Sequence, residues 1–284
     1  MSPTLAYEVV DVFTSIAYAG NPLAVVLDAD ELSSGQLQAV AREFNLSETA
    51  FPLRPPVGAD YRLRIFTPAV ELPFAGHPSV GAAWVLHRLG RIAGGDAVQA
   101  CGAGLLPVTV GSRGAILTGG PPSYGEPVDA RPLLEAVGLS ADDLAGPAPR
   151  WAGAGLDFAF VPVRAAALVV ARPDLGRLAA LGGSGVSVFA WDGRRARARV
   201  FAGGVGVPED PATGSAALGL GVWLAASGLL GDGAHEYVVE QGVELGRPAT
   251  LRCTVEVTGG RAVRTTVGGD VVPVARGELR VPPA

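Results

Sequence analysis

The sequence predicts an α+β protein made of two pseudo-symmetric halves, each a curved, mostly antiparallel sheet around a central helix. Three observations predict this. First, "ELPFAGHPSVGAAWVLHRLG" at 71–90 returns 138 residues later as "EDPATGSAALGLGVWLAASG" at 209–228, with Glu71 on Glu209, Pro73 on Pro211, Gly76 on Gly214, Gly81 on Gly219 and Gly90 on Gly228. An offset near half the chain length marks an internal duplication. Second, the flanks repeat: "RIFTPAVE" from Arg64 and "RVFAGGVGVPE" from Arg199 both read Arg-apolar-Phe, then a Gly/Pro loop, then Glu, the second loop being three residues longer. Third, the order of elements is mixed, with many strands and one long helix per half. At 284 residues the chain also exceeds the size at which one core usually stops growing.

The elements follow in order. "AYEVVDVFT" reads as a strand, and "AGNPLAVVLDA" as a turn at Gly20-Asn21-Pro22 followed by a second strand. Ser33 or Ser34 caps a helix over "SGQLQAVAREF", in which Leu37, Val40, Ala41 and Phe44 recur at helical spacing and Asn45 is the stop. "LSETAFPL" is a strand carrying Glu48, and "YRLRIFT" alternates as a half-buried strand before the first repeat helix. "GLLPVTVG" and "GAILTG" close the first half. "GGPPSYGEPVDARP", Gly/Pro-rich, is the boundary, which gives halves of 1–118 and 119–284, with the terminal strands free to cross over. A short helix around "LLEAVG", strands "FAFVPV" and "SVFAW", the second repeat and three terminal strands complete the chain. The two repeat helices are expected to start near Pro78 and Ala216.

Composition excludes several function classes. The chain is 49% hydrophobic and 17% charged, with a net charge of −5, so neither nucleic acid nor an anionic membrane surface is an expected partner. All 22 basic residues are arginine. Without lysine there is no Schiff-base chemistry, pyridoxal phosphate included, and no phosphate-binding P-loop. Cys101 and Cys253 give no disulfide framework. The N-terminus shows no signal-peptide pattern, and the protein is expected to be cytoplasmic. The uncharged stretch 214–231 is expected to be a buried helix of the core, not a membrane span. Arg195, Arg197 and Arg199 alternate and are expected to form a solvated strand face. His87 and His235 are expected to be exposed, the second in a polar loop, and no histidine pair has metal-ligand spacing.

Chemistry is expected at the two helix starts. His77 and Ser215 occupy matching places at the N-termini of related helices, where backbone N–H groups and the positive dipole end favour an anion. Helix capping is the plainer use of either residue. If the halves pack face to face, the two ends meet in one cleft. Glu48, at a strand start in "NLSETAF", is the candidate for proton transfer. Asp210 in "PEDPATGS" suits either a turn or the orientation of a substrate amine or hydroxyl. Ser215 lacks the G-x-S-x-G elbow of a serine hydrolase.

"DVFTSIAYAGNPLAVVLDADELSSGQLQAVAREFNLSETAFP", "RIFTPAVELPFAGHPSVGAA", "PEDPATGSAA" and "EQGVELGRPATL", in order from residue 11 to about 251, resemble the signature blocks of the phenazine biosynthesis PhzF-like family. The resemblance implies the diaminopimelate epimerase fold, with barrel-like halves and the site between them. It implies a homodimer and an isomerase that moves a proton between carbons without metal or organic cofactor. By the same resemblance Glu48 is the acid/base, and His77, Asp210 and Ser215 complete the catalytic set. Gly76, His77, Thr213, Gly214 and Ser215 bind the substrate. The related epimerases place a pair of cysteines at the helix ends; here His77 and Ser215 stand there. The second-half loop "FAGGVGVPEDP" departs from the family pattern by its extra glycines.

The expected activity is therefore a double-bond shift in a small unsaturated carboxylate or amino acid, such as a cyclic dihydro-anthranilate of bacterial secondary metabolism. The alternatives are an epimerase or racemase with His77 as second base, and a catalytically silent binding protein.

Overall fold

The structure, a computed structural model, describes residues 3–203 and 207–283. It divides into two compact units, Met1–Thr118 with Gly268–Ala284, and Gly119–Val267. The residues 204–206 of the glycine-containing loop before Asp210 lie outside the described residues.

The first unit runs β1 (Thr4–Val12), β2 (Asn21–Val26), α1 (Ser34–Phe44), β3 (Glu48–Leu53), β4 (Tyr61–Phe66), β5 (Glu71–Leu72), α2 (Gly76–Arg88), β6 (Gly95–Cys101), β7 (Gly104–Val110) and β8 (Gly114–Thr118). The sheet closes: β1 pairs with β2, then β3, β4, β6, β7 and β8 follow in turn, and the end of the last strand of the chain pairs with both β8 and β1. The result is an eight-stranded barrel with α2 inside. The β2–β3 and β4–β6 pairs are parallel, and each is bridged by a helical crossover, as parallel neighbours require.

Helix α1 forms because its apolar residues share a face and its ends are well defined. Ser33 accepts from the Gln36 N–H, Gln36 answers with its own side chain, and Asn45 ends the helix in the left-handed region at φ 51°. Helix α2 obeys a different rule. Every residue from Gly76 to Leu86 is buried, the signature of a helix surrounded by sheet. Small residues let the strands approach: a Cβ at Gly81 would lie 2.6 Å from Leu23 and 2.8 Å from Val12.

The second unit repeats the plan. It runs β9 (Ser123–Pro127), α3 (Ala130–Ala136), β10 (Arg150–Gly153), β11 (Asp157–Pro162), α4 (Ala165–Val170), α5 (Leu175–Leu181), β12 (Val186–Trp191), β13 (Arg195–Ala202), β14 (Val207–Asp210), α6 (Gly214–Ala226), β15 (Gly233–Gln241) and β16 (Ala249–Thr258), then enters β17 (Arg261–Arg280), whose C-terminal part belongs to the first unit. The order antiparallel, parallel, antiparallel, parallel, antiparallel across β10-β11-β12-β13-β15-β16 matches that across β1-β2-β3-β4-β6-β7. Helices α2 and α6 are both 13 residues long and start 138 residues apart, at Gly76 and Gly214. Residues Gly214–Ala225 are all buried against β9, β10, β11 and β16. No helix among the described residues is long and apolar enough to cross a membrane.

Three expectations need correction. Both central helices begin two residues earlier than expected. Pro78 falls in the first turn, where its missing N–H costs nothing. His235 lies on β15 rather than in a loop and is half-buried with Nε2 2.7 Å from the Gly231 carbonyl, while His87 is half-buried at the end of α2 near the Ile92 carbonyl. The arginines of β13 do not form a solvated face. Exposure falls along the strand as each pairs with a carboxylate: Arg195 with Glu240, Arg197 with Glu244, and Arg199, only 4% exposed, with Glu209.

Candidate active site

In the first unit, Glu48 opens β3 directly after the α1 crossover and pairs in register with Leu23 of β2. His77 is the second residue of α2. The fold thus brings together two residues 29 positions apart in sequence: His77 Nδ1 lies 3.7 Å from Glu48 Oε2. The glutamate side chain is 13% exposed and the histidine is buried.

Burial pushes the His77 imidazole from its ordinary 6.5 down to about 3, and a hydrogen bond with the Pro22 backbone offsets this only in part. The ring is neutral at physiological pH, so its contact with Glu48 is not an ion pair despite the short distance. A short polar chain reaches the ring. Ser47 Oγ donates to Asn21 Oδ1 (3.0 Å), which turns Asn21 Nδ2 toward His77 Nδ1 (3.2 Å). The buried Nε2 has no hydrogen-bond partner.

Gly76, also buried, starts α2, and its N-cap Ala75 supplies no side-chain cap. The first N–H groups of a helix have no intrahelical acceptor. Helix α6 starts in the same way: Gly214 and Ser215 are buried, and the N-cap Thr213 does not cap with its side chain. That hydroxyl donates instead to Asp210 Oδ2 at 2.6 Å. Asp210, at the end of β14, is buried. The second unit therefore gathers Asp210, Thr213, Gly214 and Ser215, as the first gathers Glu48, Gly76 and His77.

Each helix start is preceded by the same clamp. Arg64 grips Glu71 with two hydrogen bonds of 2.7 Å, and Arg199 grips Glu209 with bonds of 2.8 and 2.7 Å. Each guanidinium also lies 5.0 Å from the ring centre of the phenylalanine two residues on, Phe66 or Phe201.

Sequence reasoning missed Asn21, Ser47 and Gln241. Asn21 reads as a turn residue in "GNP", yet it is fully buried. Gln241 at the end of β15 is 1% exposed and bonds to Asp210 and Thr213. A neutral amide has no periodic signature, so only its place in a matching motif block pointed to it. Cys253 is buried on β16 and its thiol is pushed well above the ordinary range by burial, while Cys101 ends β6; neither belongs to the gathered residues. Among the described residues no group of three or more His, Cys, Asp or Glu could hold a metal ion.

The family model for "Phenazine biosynthesis-like protein" matches residues 10–277. The chain belongs to this family. A trans-2,3-dihydro-3-hydroxyanthranilate isomerase of Pseudomonas chlororaphis is 36% identical over 96% of this chain and 98% of its own. A phenazine biosynthesis protein of the PhzF family from Bacillus anthracis has the same fold, with a TM-score of 0.88, 24% identity and coverage of 98% and 99% of the two chains. A hydroxyproline epimerase of Agrobacterium vitis shares the fold at a TM-score of 0.69 and 14% identity, over 99% and 94% of the two chains. The α+β architecture of barrel-like halves is the one shared by this family and the epimerases. The protein is an isomerase of the phenazine biosynthesis-like family.

Proposed function

We propose that the protein shifts a double bond in a small unsaturated amino acid of the dihydro-hydroxyanthranilate kind, with Glu48 carrying the mobile proton. The supporting observation is the pairing of a mostly buried carboxylate with a buried, neutral imidazole. The substrate class comes from the Pseudomonas relative's name, which denotes a ring bearing a carboxylate, an amine and a hydroxyl.

In this reading the Glu48 carboxylate takes a proton from a saturated ring carbon. The C–H electron pair becomes a new double bond conjugated with the substrate carboxylate, and charge spreads onto that group. Glu48 then returns the proton to the far carbon of the shifted system. Atoms and charge balance, Glu48 ends as it began, and no electrons leave the substrate, so the step calls for no redox carrier. The N–H groups of Gly76–His77 or Gly214–Ser215 hold the substrate carboxylate and stabilise the developing charge. Asp210 accepts a hydrogen bond from the amine or hydroxyl.

Return of the proton to the same carbon, as in an epimerase, would want a second base. His77, titrating near 3, is poorly suited to that task. The test is turnover of trans-2,3-dihydro-3-hydroxyanthranilate, followed by ultraviolet absorbance, in deuterated water. Deuterium at a carbon other than the one deprotonated supports the double-bond shift, and deuterium only at the original carbon supports epimerisation.

A further inference from the structure

We propose that Gln241 and Thr213 are positioning residues that commit the Asp210 carboxylate to reading a hydrogen-bond donor on the substrate; this rests on the proposed role of Asp210. The Thr213 hydroxyl is thereby consumed inside the protein and does not itself bind substrate.

The argument is one of hydrogen-bond direction. The backbone N–H of Thr213 can only donate, and it meets Gln241 Oε1 at 3.1 Å. The backbone carbonyl of Asp210 can only accept, and it meets Gln241 Nε2 at 2.7 Å. These two contacts fix which end of the amide is which. The second Nε2 proton then goes to Thr213 Oγ1, 3.0 Å away. A hydroxyl that accepts from an amide turns its own proton elsewhere, and Asp210 Oδ2 lies 2.6 Å from it. Direction therefore passes from Gln241 through Thr213 to Asp210, and Asp210 is the acceptor. Gln241 and Thr213 are both buried, so water does not compete for these contacts.

The arrangement also explains why Thr213 does not cap α6 with its side chain. Its hydroxyl faces back to β14, which leaves the N–H groups of Gly214 and Ser215 to an outside acceptor. A carboxylate held as an acceptor suits a substrate amine or ring hydroxyl and disfavours a second anion at that place.

The experiment is a double-mutant cycle in kcat/KM for trans-2,3-dihydro-3-hydroxyanthranilate, using Thr213→Val, Asp210→Asn and both together, with Gln241→Glu and Thr213→Ser alongside. Thr213→Val is expected to lose at least about 10-fold in kcat/KM, mostly through KM, because a hydrogen bond to a charged group is lost. In the Asp210→Asn background the same change is expected to cost less than about 2-fold, since its target is gone. Thr213→Ser, which keeps the hydroxyl, is expected to restore most of the activity. Gln241→Glu is expected to resemble Thr213→Val and to recover as pH falls, when the acid regains a proton to donate. Equal costs in both backgrounds, or a fully active Thr213→Val, overturn the proposal. An Asp210→Asn enzyme with normal kcat/KM overturns the role of Asp210 itself. If the substrate is not turned over, the proposed function fails and the crystal structure of Thr213→Val decides the inference alone: an Asp210 carboxylate in its original orientation overturns it, and a rotated one upholds it.

Discussion

Nδ1 of His77 lies 3.7 Å from Oε2 of Glu48, and the imidazole is neutral at physiological pH because its burial costs more than a hydrogen bond with the Pro22 backbone returns. A buried ring next to an acid would ordinarily be taken for an ion pair. Here the Asn21 amide lies 3.2 Å from Nδ1, and the ring is an uncharged wall beside the Glu48 carboxylate.

This neutrality has a consequence for acid stability. The folded ring titrates near 3 against an unfolded value of 6.5, so between those limits the unfolded chain binds more protons. The associated stability is fully present above about pH 6.5 and is lost as pH falls toward 3. His77→Gln removes this titration. Urea unfolding at pH 7 and pH 4.5 is expected to show a loss on acidification that is smaller in the variant by about 2 kcal/mol. Identical acid sensitivity would mean that the ring is not buried neutral.

The duplicated clamps differ in burial, and their deletion should differ in cost. The Arg199 and Glu209 side chains are 5% and 10% exposed, and Arg199 also donates to the carbonyls of Leu168 and Ala171. Arg64 and Glu71 are 16% and 42% exposed. Arg199→Met leaves a buried carboxylate unpaired and is expected to cost about 3–5 kcal/mol. Arg64→Met is expected to cost about 1 kcal/mol or less. Chemical denaturation of both variants checks the contrast.

The thiols are expected to be dispensable. Burial keeps the Cys253 thiol protonated, and Cys101 stands at the end of β6 away from the gathered residues. A Cys101→Ser, Cys253→Ala double variant is expected to retain kcat/KM within about 3-fold, the range of an ordinary packing change. Folded protein with activity lost would contradict the carboxylate mechanism.

Much of this architecture was legible because it is periodic or repeated. The offset that aligns Gly76 with Gly214 in sequence is the offset between the starts of α2 and α6. The Ser33-Ser34 pair and Asn45 announced the two ends of α1 through local chemistry alone, and Ser33 is the residue that caps it. What stayed hidden depends on tertiary partners. Arg195, Arg197 and Arg199 alternate like a solvated strand, and only Glu240, Glu244 and Glu209, distant in sequence except for the last, turn them inward. Asn21 and Gln241 carry no charge and no pattern. Their importance comes from burial against His77 and Thr213, which no local window contains.

The central claim is that Glu48 carries the proton, and the kcat of Glu48→Gln on trans-2,3-dihydro-3-hydroxyanthranilate tests it most directly. The amide keeps the shape of the side chain but cannot take up a proton. General acid–base help is worth about 10²–10⁴-fold, so kcat is expected to fall at least about 100-fold while KM changes little and the fold persists. A Glu48→Gln enzyme that turns over at the wild-type rate would contradict the account.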